Sequence, residues 1–230
     1  MTDFGKLAFG VRHGGLIDPS WQWSFTALLR SKVMREGDCV LNPAVGLPHG
    51  VACNVLAQWF MRSDADALML IDDDMEFSPE DVQRLREDDH GHDIISCLYV
   101  TRRAPHLPLV VVREPKDATE KLPALLAPYD QIKGIVPVVA SGFGGILIKR
   151  WVIETVLKGY QQQGEPPFSH ESKMGEDFRF CHDARGQGAT IAVNCDVLFG
   201  HRATFAMYWN KETQVLDCTE NDYGLAIINK

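Results

Sequence analysis

The sequence predicts a single α/β domain, built on an open, mostly parallel β-sheet with helices on both faces. Strand-like and helix-like segments alternate along the chain, and 230 residues suffice for one such domain. Several strand-like runs are also continuously apolar, as in "ALMLI" at 67–71, which is typical of strands buried on both faces of a parallel sheet. Ligands of such sheets bind in the crevice beyond the carboxyl ends of the strands.

The predicted elements follow in a regular order. A first strand, "KLAFGV", ends in the loop "RHGGLID", and Ser78, Pro79 and Asp81 carry the signature of a helix start with a capping box. The proline-rich and charged stretch 113–134 is predicted as a loop insertion. The other helices are expected in "WQWSFTALLRSKVM", "VACNVLAQWFMRS", "WVIETVLKGYQQQ" and "GEDFRFCHDAR", and the other strands in "DIISCLYV", "LPLVVV", "IVPVVASGFGGILIKR" and "ATIAVNCDVLFGH".

Composition limits the class of protein. A net charge of −8 argues against a broadly basic nucleic-acid-binding protein. The six cysteines lack the spacing of a zinc site, and several lie within apolar runs, which favours reduced thiols. The chain shows neither a signal peptide nor a segment as long as a transmembrane helix, so we expect a soluble, cytoplasmic protein.

Three adjacent aspartates interrupt the apolar pattern in "LMLIDDDMEF". If this segment is extended, Asp72 and Asp74 point to one side and Asp73 to the other. Two carboxylates at a strand end can hold a divalent cation, which would offset their repulsion. The alternative is an acidic turn that caps the following helix. An EF-hand is excluded, because Phe77 stands where that loop needs glycine and Gln83 where it needs glutamate.

Several motifs in sequence order resemble those of GT-A glycosyltransferases of the small, family 2-like kind found in bacteria and phages. "LMLIDDDMEFSPEDVQRL" is similar to the segment in which a strand delivers a DxD motif to the nucleotide-sugar and its metal. "GEDFRFCHDARGQGATIAV" resembles the family's "ED" helix, and "CDVLFGH" its strand ending in Gly-His. "HGVACNVLAQWF" and "SGFGGILIKR" resemble its "ARN" helix and glycine-bearing strand. The resemblance spans about Lys6 to His201.

The resemblance implies a Rossmann-like GT-A fold and a metal-dependent transfer of sugar to an acceptor hydroxyl. Mn²⁺ or Mg²⁺ would be held by Asp74 as the principal ligand, with Asp72 and His201 completing the site. Asp177 would act as the general base if the enzyme inverts configuration, and Glu176 would stand beside it as the second catalytic carboxylate, with a role in structure or orientation.

The resemblance also implies a nucleotide-sugar donor, with a UDP-sugar as the first expectation. Asp72 and Asp73 would contact the nucleotide, and Arg12 and His13 are placed to meet its base or ribose. The arginine of "ARN" is Cys53 here, which leaves Asn54 alone at that donor position. Arg102 and Arg103 would meet the diphosphate or the acceptor, or form an exposed surface pair.

The division of the single domain follows from the same resemblance. Residues 1–100 would form the donor part, residues 101–205 the acceptor part, and residues 206–230 a tail. Glycan, protein, small-molecule and modified-DNA acceptors all remain open, as do the donor sugar and the stereochemical outcome. Two other functions also remain open: a sugar nucleotidyltransferase, which pairs a similar sheet with metal-binding carboxylates, and a non-catalytic nucleotide-sugar or glycan-binding module of the same fold.

Overall fold

The fold comes from a computed structural model, which describes most of the chain but not every segment. The described residues are 3–15, 17–87, 91–102, 108–113, 133–163, 166, 168, 175–202, 205–210, 215–220 and 224–226. Arg103 and most of the predicted loop insertion lie outside them.

The described residues form five helices and fifteen strands. The helices are α1 (Pro19–Arg30), α2 (His49–Met61), α3 (Pro79–Glu87), α4 (Arg150–Gln163) and α5 (Glu176–Gly186). The strands are β1 (Leu7–His13), β2 (Cys39–Val40), β3 (Ala44–Val45), β4 (Ala67–Asp72), β5 (Met75–Glu76), β6 (Ile94–Leu98), β7 (Val110–Val111), β8 (Ile135–Pro137), β9 (Ala140–Ser141), β10 (Gly145–Lys149), β11 (Ile191–Leu198), β12 (Gly200–His201), β13 (Phe205–Asn210), β14 (Val215–Glu220) and β15 (Gly224–Ala226). Among these described elements, no helix has both the length and the apolar character needed to cross a bilayer.

The central sheet has eight strands in the order β2-β1-β4-β10-β6-β11-β8, with β3 paired to β1. β1 is parallel to β2, β3 and β4, and β6 is parallel to β11. β10 lies antiparallel between β4 and β6, and β8 is antiparallel at one edge. The predicted mostly parallel α/β sheet is therefore confirmed, with β10 as the internal exception.

Helices cover both faces of this sheet, as predicted. One hydrophobic cluster packs α2, α4 and α5 on one face, and a second packs α1 and α3 on the other. β4 contributes to both: Leu68 and Leu70 lie in the first cluster, and Met69 and Ile71 in the second, all without solvent exposure. Two-sided burial explains why this strand is continuously apolar.

The chain reverses direction directly after β4. Asp73 and Asp74 form a turn, and β5 leaves it to pair antiparallel with β12. This pairing sets His201 opposite Met75 and thereby brings the two distant segments together at the carboxyl end of β4. The helix that follows begins as predicted, since Ser78 Oγ accepts a hydrogen bond from Asp81 N (3.2 Å) and Asp81 Oδ2 accepts one from Ser78 N (2.9 Å).

A buried ion pair lies near the beginning of β1. The Arg86 guanidinium on α3 donates to both carboxylate oxygens of Asp38, at 2.9 and 2.5 Å, and neither side chain is exposed. Arg86 also donates to the backbone carbonyls of Gly5 and Val33. These bonds join α3 to the segments that precede β1 and β2, and the sequence alone did not predict them.

Candidate active site

A cavity of about 320 Å³ opens at the carboxyl ends of the parallel strands β1, β4 and β6. This is the edge at which the sequence predicts a ligand site. Nine of the predicted site residues line the cavity: Arg12, His13, Asp72, Asp73, Asp74, Arg102, Glu176, Asp177 and His201. Side chains from the first and last thirds of the chain therefore converge on one space.

Asp74 and His201 form a pair inside this cavity. His201 Nε2 lies 3.3 Å from Asp74 Oδ2, while His201 Nδ1 lies 2.7 Å from the carbonyl oxygen of Val100. Burial opposes charge on both groups, but their mutual contact outweighs it, so the pKa of Asp74 lies below its usual value and that of His201 above. The carbonyl of Val100 fixes the imidazole ring with Nε2 directed at the carboxylate.

The same pair has the chemistry of a cation site. Asp74 Oδ1 is buried without a hydrogen-bond partner, which is costly for a carboxylate oxygen unless something else binds it. A neutral His201 whose Nδ1–H donates to Val100 leaves the Nε2 lone pair beside that carboxylate. These donors fit Mn²⁺ or Mg²⁺, although no cluster of three His, Cys, Asp or Glu side chains suited to a metal ion occurs within the described ranges.

Asp72 is paired with Arg12. Arg12 Nε and Nη2 lie 2.5 and 2.7 Å from the two oxygens of Asp72, and the guanidinium is almost fully buried. Asp72 as a second metal ligand stays a prediction, and it would require this bidentate pair to open. Direct contact of Arg12 with a base or ribose also stays a prediction, since the described contacts of Arg12 are with protein groups.

The expectation that Asp73 points away from its neighbours is wrong. Alternation holds only in an extended strand, and the turn after β4 directs all three aspartates into the cavity. Asp73 Oδ2 accepts a hydrogen bond from Gly14 N (2.7 Å) and lies 3.0 Å from His13 Nδ1. His13 Nδ1 also accepts from Gly15 N (2.8 Å). The bond from Gly14 N to Asp73 therefore holds the loop after β1 against the turn after β4.

Glu176 and Asp177 open helix α5 on another wall of the cavity. Gly175 is the N-cap residue, and Glu176 Oε1 accepts a hydrogen bond from Arg12 Nη1 (3.2 Å). Burial, reinforced by the neighbouring charge of Glu176, raises the pKa of Asp177 to about 6. A carboxyl with this pKa in a cavity is suited to general-base chemistry near neutral pH.

One of the predicted donor residues lies elsewhere. Asn54 does not line the cavity: its amide nitrogen donates to the carbonyl of Phe168 (3.1 Å), and its amide oxygen accepts from Phe168 N (3.2 Å). Asn54 thus anchors Phe168 to α2, and its contact with a nucleotide stays a prediction. Arg103 lies outside the described residues, but its neighbour Arg102 places Nη1 3.1 Å from Asp74 Oδ2.

Tyr99 is a cavity residue that the sequence analysis missed. It follows β6, and its position at the end of a parallel strand was the available signal. Its buried hydroxyl accepts a hydrogen bond from Gly144 N (3.0 Å), and its ring meets His201 edge-on at 5.7 Å between centroids. A side chain at Gly144 would collide with the Tyr99 ring, so this glycine makes room for the tyrosine. Other cavity residues missed are Gly14, Leu47, His49, Ala52 and Leu109.

Solved structures of low sequence identity share this architecture. A197 from STIV is similar over 98% of this chain and 98% of its own, at a TM-score of 0.53 and 16% identity. GalNAc-T7, solved with UDP, GalNAc and Mn²⁺, is similar over 86% of this chain and 44% of its own, at a TM-score of 0.51 and 10% identity. The chain has a GT-A-like fold. At 16% and 10% identity, these likenesses show the fold alone. No protein-family model and no curated protein matches the sequence.

Proposed function

We propose that this protein is a metal-dependent glycosyltransferase that moves a sugar from a nucleotide-sugar, in the first instance a UDP-sugar, to an acceptor hydroxyl. The observation that carries the proposal is the pairing of Asp74 and His201, with one carboxylate oxygen unpartnered, in the same cavity as Asp177. The GT-A-like fold supports it, as does the solution of GalNAc-T7 with UDP, GalNAc and Mn²⁺.

Each of these residues has a separate role in the proposed reaction. Asp74 and His201 would hold Mn²⁺ or Mg²⁺, and the chemistry that such an ion would supply there is to offset negative charge on a diphosphate. Asp177 accepts the proton of the attacking acceptor hydroxyl, because its raised pKa makes it a stronger base than an ordinary aspartate. Glu176 orients the first turn of α5 through its bond to Arg12.

We propose that the cavity has a donor side and an acceptor side. His13 and Asp73, on the loops after β1 and β4, belong to the proposed donor side, together with Asp74. Asp177 and Glu176 begin α5 and belong to the proposed acceptor side. Arg102 and Arg103 follow β6 and remain candidates for the diphosphate or the acceptor. We propose residues 1–100 and 101–205 as the corresponding parts of the domain, followed by the segment 206–230.

Binding of UDP is expected to require a divalent cation and Asp74. In Mn²⁺, saturating UDP should raise the apparent Tm of the wild type, because a ligand that binds only the native state stabilises it. Asp74→Asn should abolish this rise while leaving the protein folded, since the substitution removes the charged oxygen but keeps the side-chain shape. Thermal-shift measurements in Mn²⁺ and in chelator provide the test.

Asp64→Asn is the matched control, because Asp64 is an exposed aspartate away from the cavity. Its UDP-dependent rise in Tm should equal that of the wild type. Equal stabilisation by UDP in chelator and in Mn²⁺ would contradict the proposed cation site.

His201 is expected to act on the same cation as Asp74. The losses of Mn²⁺ affinity in His201→Gln and Asp74→Asn should then be non-additive, because residues that share a partner couple in a double-mutant cycle. Titration calorimetry of Mn²⁺ against the wild type, both single variants and the double variant measures this coupling. Strictly additive losses, or an unchanged affinity in His201→Gln, would place His201 outside the site.

A further inference from the structure

One buried guanidinium connects three elements beneath the cavity. Arg12 lies at the end of β1, paired in register with Asp72 at the end of β4. It donates twice to Asp72, while Nη1 donates to Glu176 on the first turn of α5 (3.2 Å) and contacts Cys53 Sγ on α2 (3.7 Å). The forked geometry of these bonds is available to arginine and not to lysine.

The charges around Asp177 are unevenly balanced. Arg12 bonds to both Asp72 and Glu176, so two carboxylates share one guanidinium charge, and His49 on α2 lies 4.0 Å from Glu176. The groups that act on Asp177 include its neighbour Glu176, the Phe178 N–H that donates to it (2.8 Å), Arg12 from β1, Asp72 from β4, the buried Tyr99 hydroxyl after β6 and the Cys181 thiol on α5. After burial, Glu176 and Asp72 raise the pKa of Asp177, whereas Arg12 lowers it.

We propose that Arg12 is a positioning residue for Asp177: it fixes the first turn of α5 against the end of β4 and sets the net charge that Asp177 meets. It acts through Glu176 and Asp72, the two carboxylates to which it donates. The inference deepens the proposed function, because it rests on Asp177 as the base of that reaction.

The proposal predicts that two substitutions change the pKa of Asp177 in opposite directions. Removing the cation in Arg12→Met takes its positive charge away from Asp72 and Glu176, so the pKa of Asp177 should rise above about 6. Removing a carboxylate in Glu176→Gln should lower it below 6. Arg12→Lys keeps the positive charge but loses the bidentate guanidinium geometry, so it should change the pKa of Asp177 less than Arg12→Met does.

The titration can be followed by ¹³C NMR on metal-free protein labelled at the aspartate side-chain carboxyl carbons. The Asp177 signal is assigned as the resonance that Asp177→Asn lacks, and its midpoint is measured in each variant. Arg30→Met is the matched control: it removes the same charge from an exposed arginine that does not line the cavity, and its midpoint should equal that of the wild type. The proposal is supported if the midpoint of Asp177 rises in Arg12→Met and falls in Glu176→Gln.

Unchanged midpoints in Arg12→Met and Glu176→Gln would overturn it. If Arg12→Met does not fold, the midpoints of Asp177 in Glu176→Gln and Arg12→Lys provide the test. A lower midpoint in Glu176→Gln with a small shift in Arg12→Lys supports the proposal. An unchanged midpoint in both variants overturns it. The titration needs no substrate, so its outcome is separate from that of the proposed function. If no nucleoside diphosphate or nucleotide-sugar binds the wild type in Mn²⁺, the proposed glycosyltransferase function is overturned, and the titration result still stands.

Discussion

Asp177→Asn is expected to lower the rate of sugar transfer by about 10²–10⁴-fold, the usual loss when a general base is removed. Asparagine preserves the size and most of the hydrogen bonding of the side chain but cannot accept the proton. Donor affinity should stay within a few-fold of the wild type, because the proposed donor contacts lie on the loops after β1 and β4. Steady-state rates and the Kd of the donor, measured separately, distinguish the two effects.

The pH profile provides a second signature of Asp177. Its pKa is raised to about 6, so the basic form predominates above that pH and transfer should fall as the pH drops through about 6. This limb of the profile should disappear from the residual activity of Asp177→Asn. By linkage, a carboxyl whose pKa is raised on folding favours the folded state increasingly as the pH falls from about 6 toward the ordinary value of 3.8.

Asp64→Asn again serves as the control for Asp177→Asn, since it removes one exposed aspartate charge from the same domain. It should keep the wild-type rate and pH profile. Near-normal transfer in Asp177→Asn would leave Asp177 as a charge at a helix terminus and favour a retaining mechanism. Loss of donor binding would mean instead that Asp177 belongs to the donor side.

Arg86→Met is expected to destabilise the fold by about 3–5 kcal/mol, because removing one partner of a buried pair leaves an uncompensated charge. The Asp38 carboxylate would stay buried, and the carbonyls of Gly5 and Val33 would lose their donors. Methionine retains much of the apolar volume of the arginine stem, so loss of packing is a small part of the effect. Urea unfolding followed by circular dichroism measures the change.

Arg84→Met is the matched control on the same helix. Arg84 is exposed, and its loss should change the free energy of unfolding by no more than about 0.5 kcal/mol. Adding Asp38→Asn to Arg86→Met should recover part of the lost stability, because the unpaired carboxylate is then gone. A loss below about 1 kcal/mol in Arg86→Met would show that the pair does not hold α3 to the sheet.

Local patterns predicted the elements that carry the site. The apolar run of β4 and the capping box of Ser78 and Asp81 depend on neighbouring residues, and both were confirmed. The order of parallel strands also predicted the edge of the sheet at which a ligand would bind, and the cavity lies there. Asp74 and His201 were expected to be neighbours from the resemblance to GT-A glycosyltransferases, and the pairing of β5 with β12 brings them together.

Features that depend on long-range geometry could not be derived in this way. No local pattern shows that β10 enters the sheet antiparallel, or that a turn directs Asp73 toward its neighbours. The partners of Arg12 lie 60 and 164 residues away, so its burial against Asp72 and Glu176 became visible only in three dimensions. Without knowledge of these partners, an arginine near a strand end is interpreted as a ligand-binding residue, as Arg12 was.

Turnover of nucleotide-sugars tests the central claim most directly. Purified protein is incubated with a panel of nucleotide-sugars in Mn²⁺, in Mg²⁺ and in chelator, and the nucleoside diphosphate released to water or to added acceptors is measured. The account predicts release from at least one donor, dependent on the cation and lost in Asp74→Asn. Binding without release would identify a non-catalytic module, and pyrophosphate formed from a nucleoside triphosphate and a sugar 1-phosphate would identify a nucleotidyltransferase. Either result would contradict the proposed glycosyltransferase function.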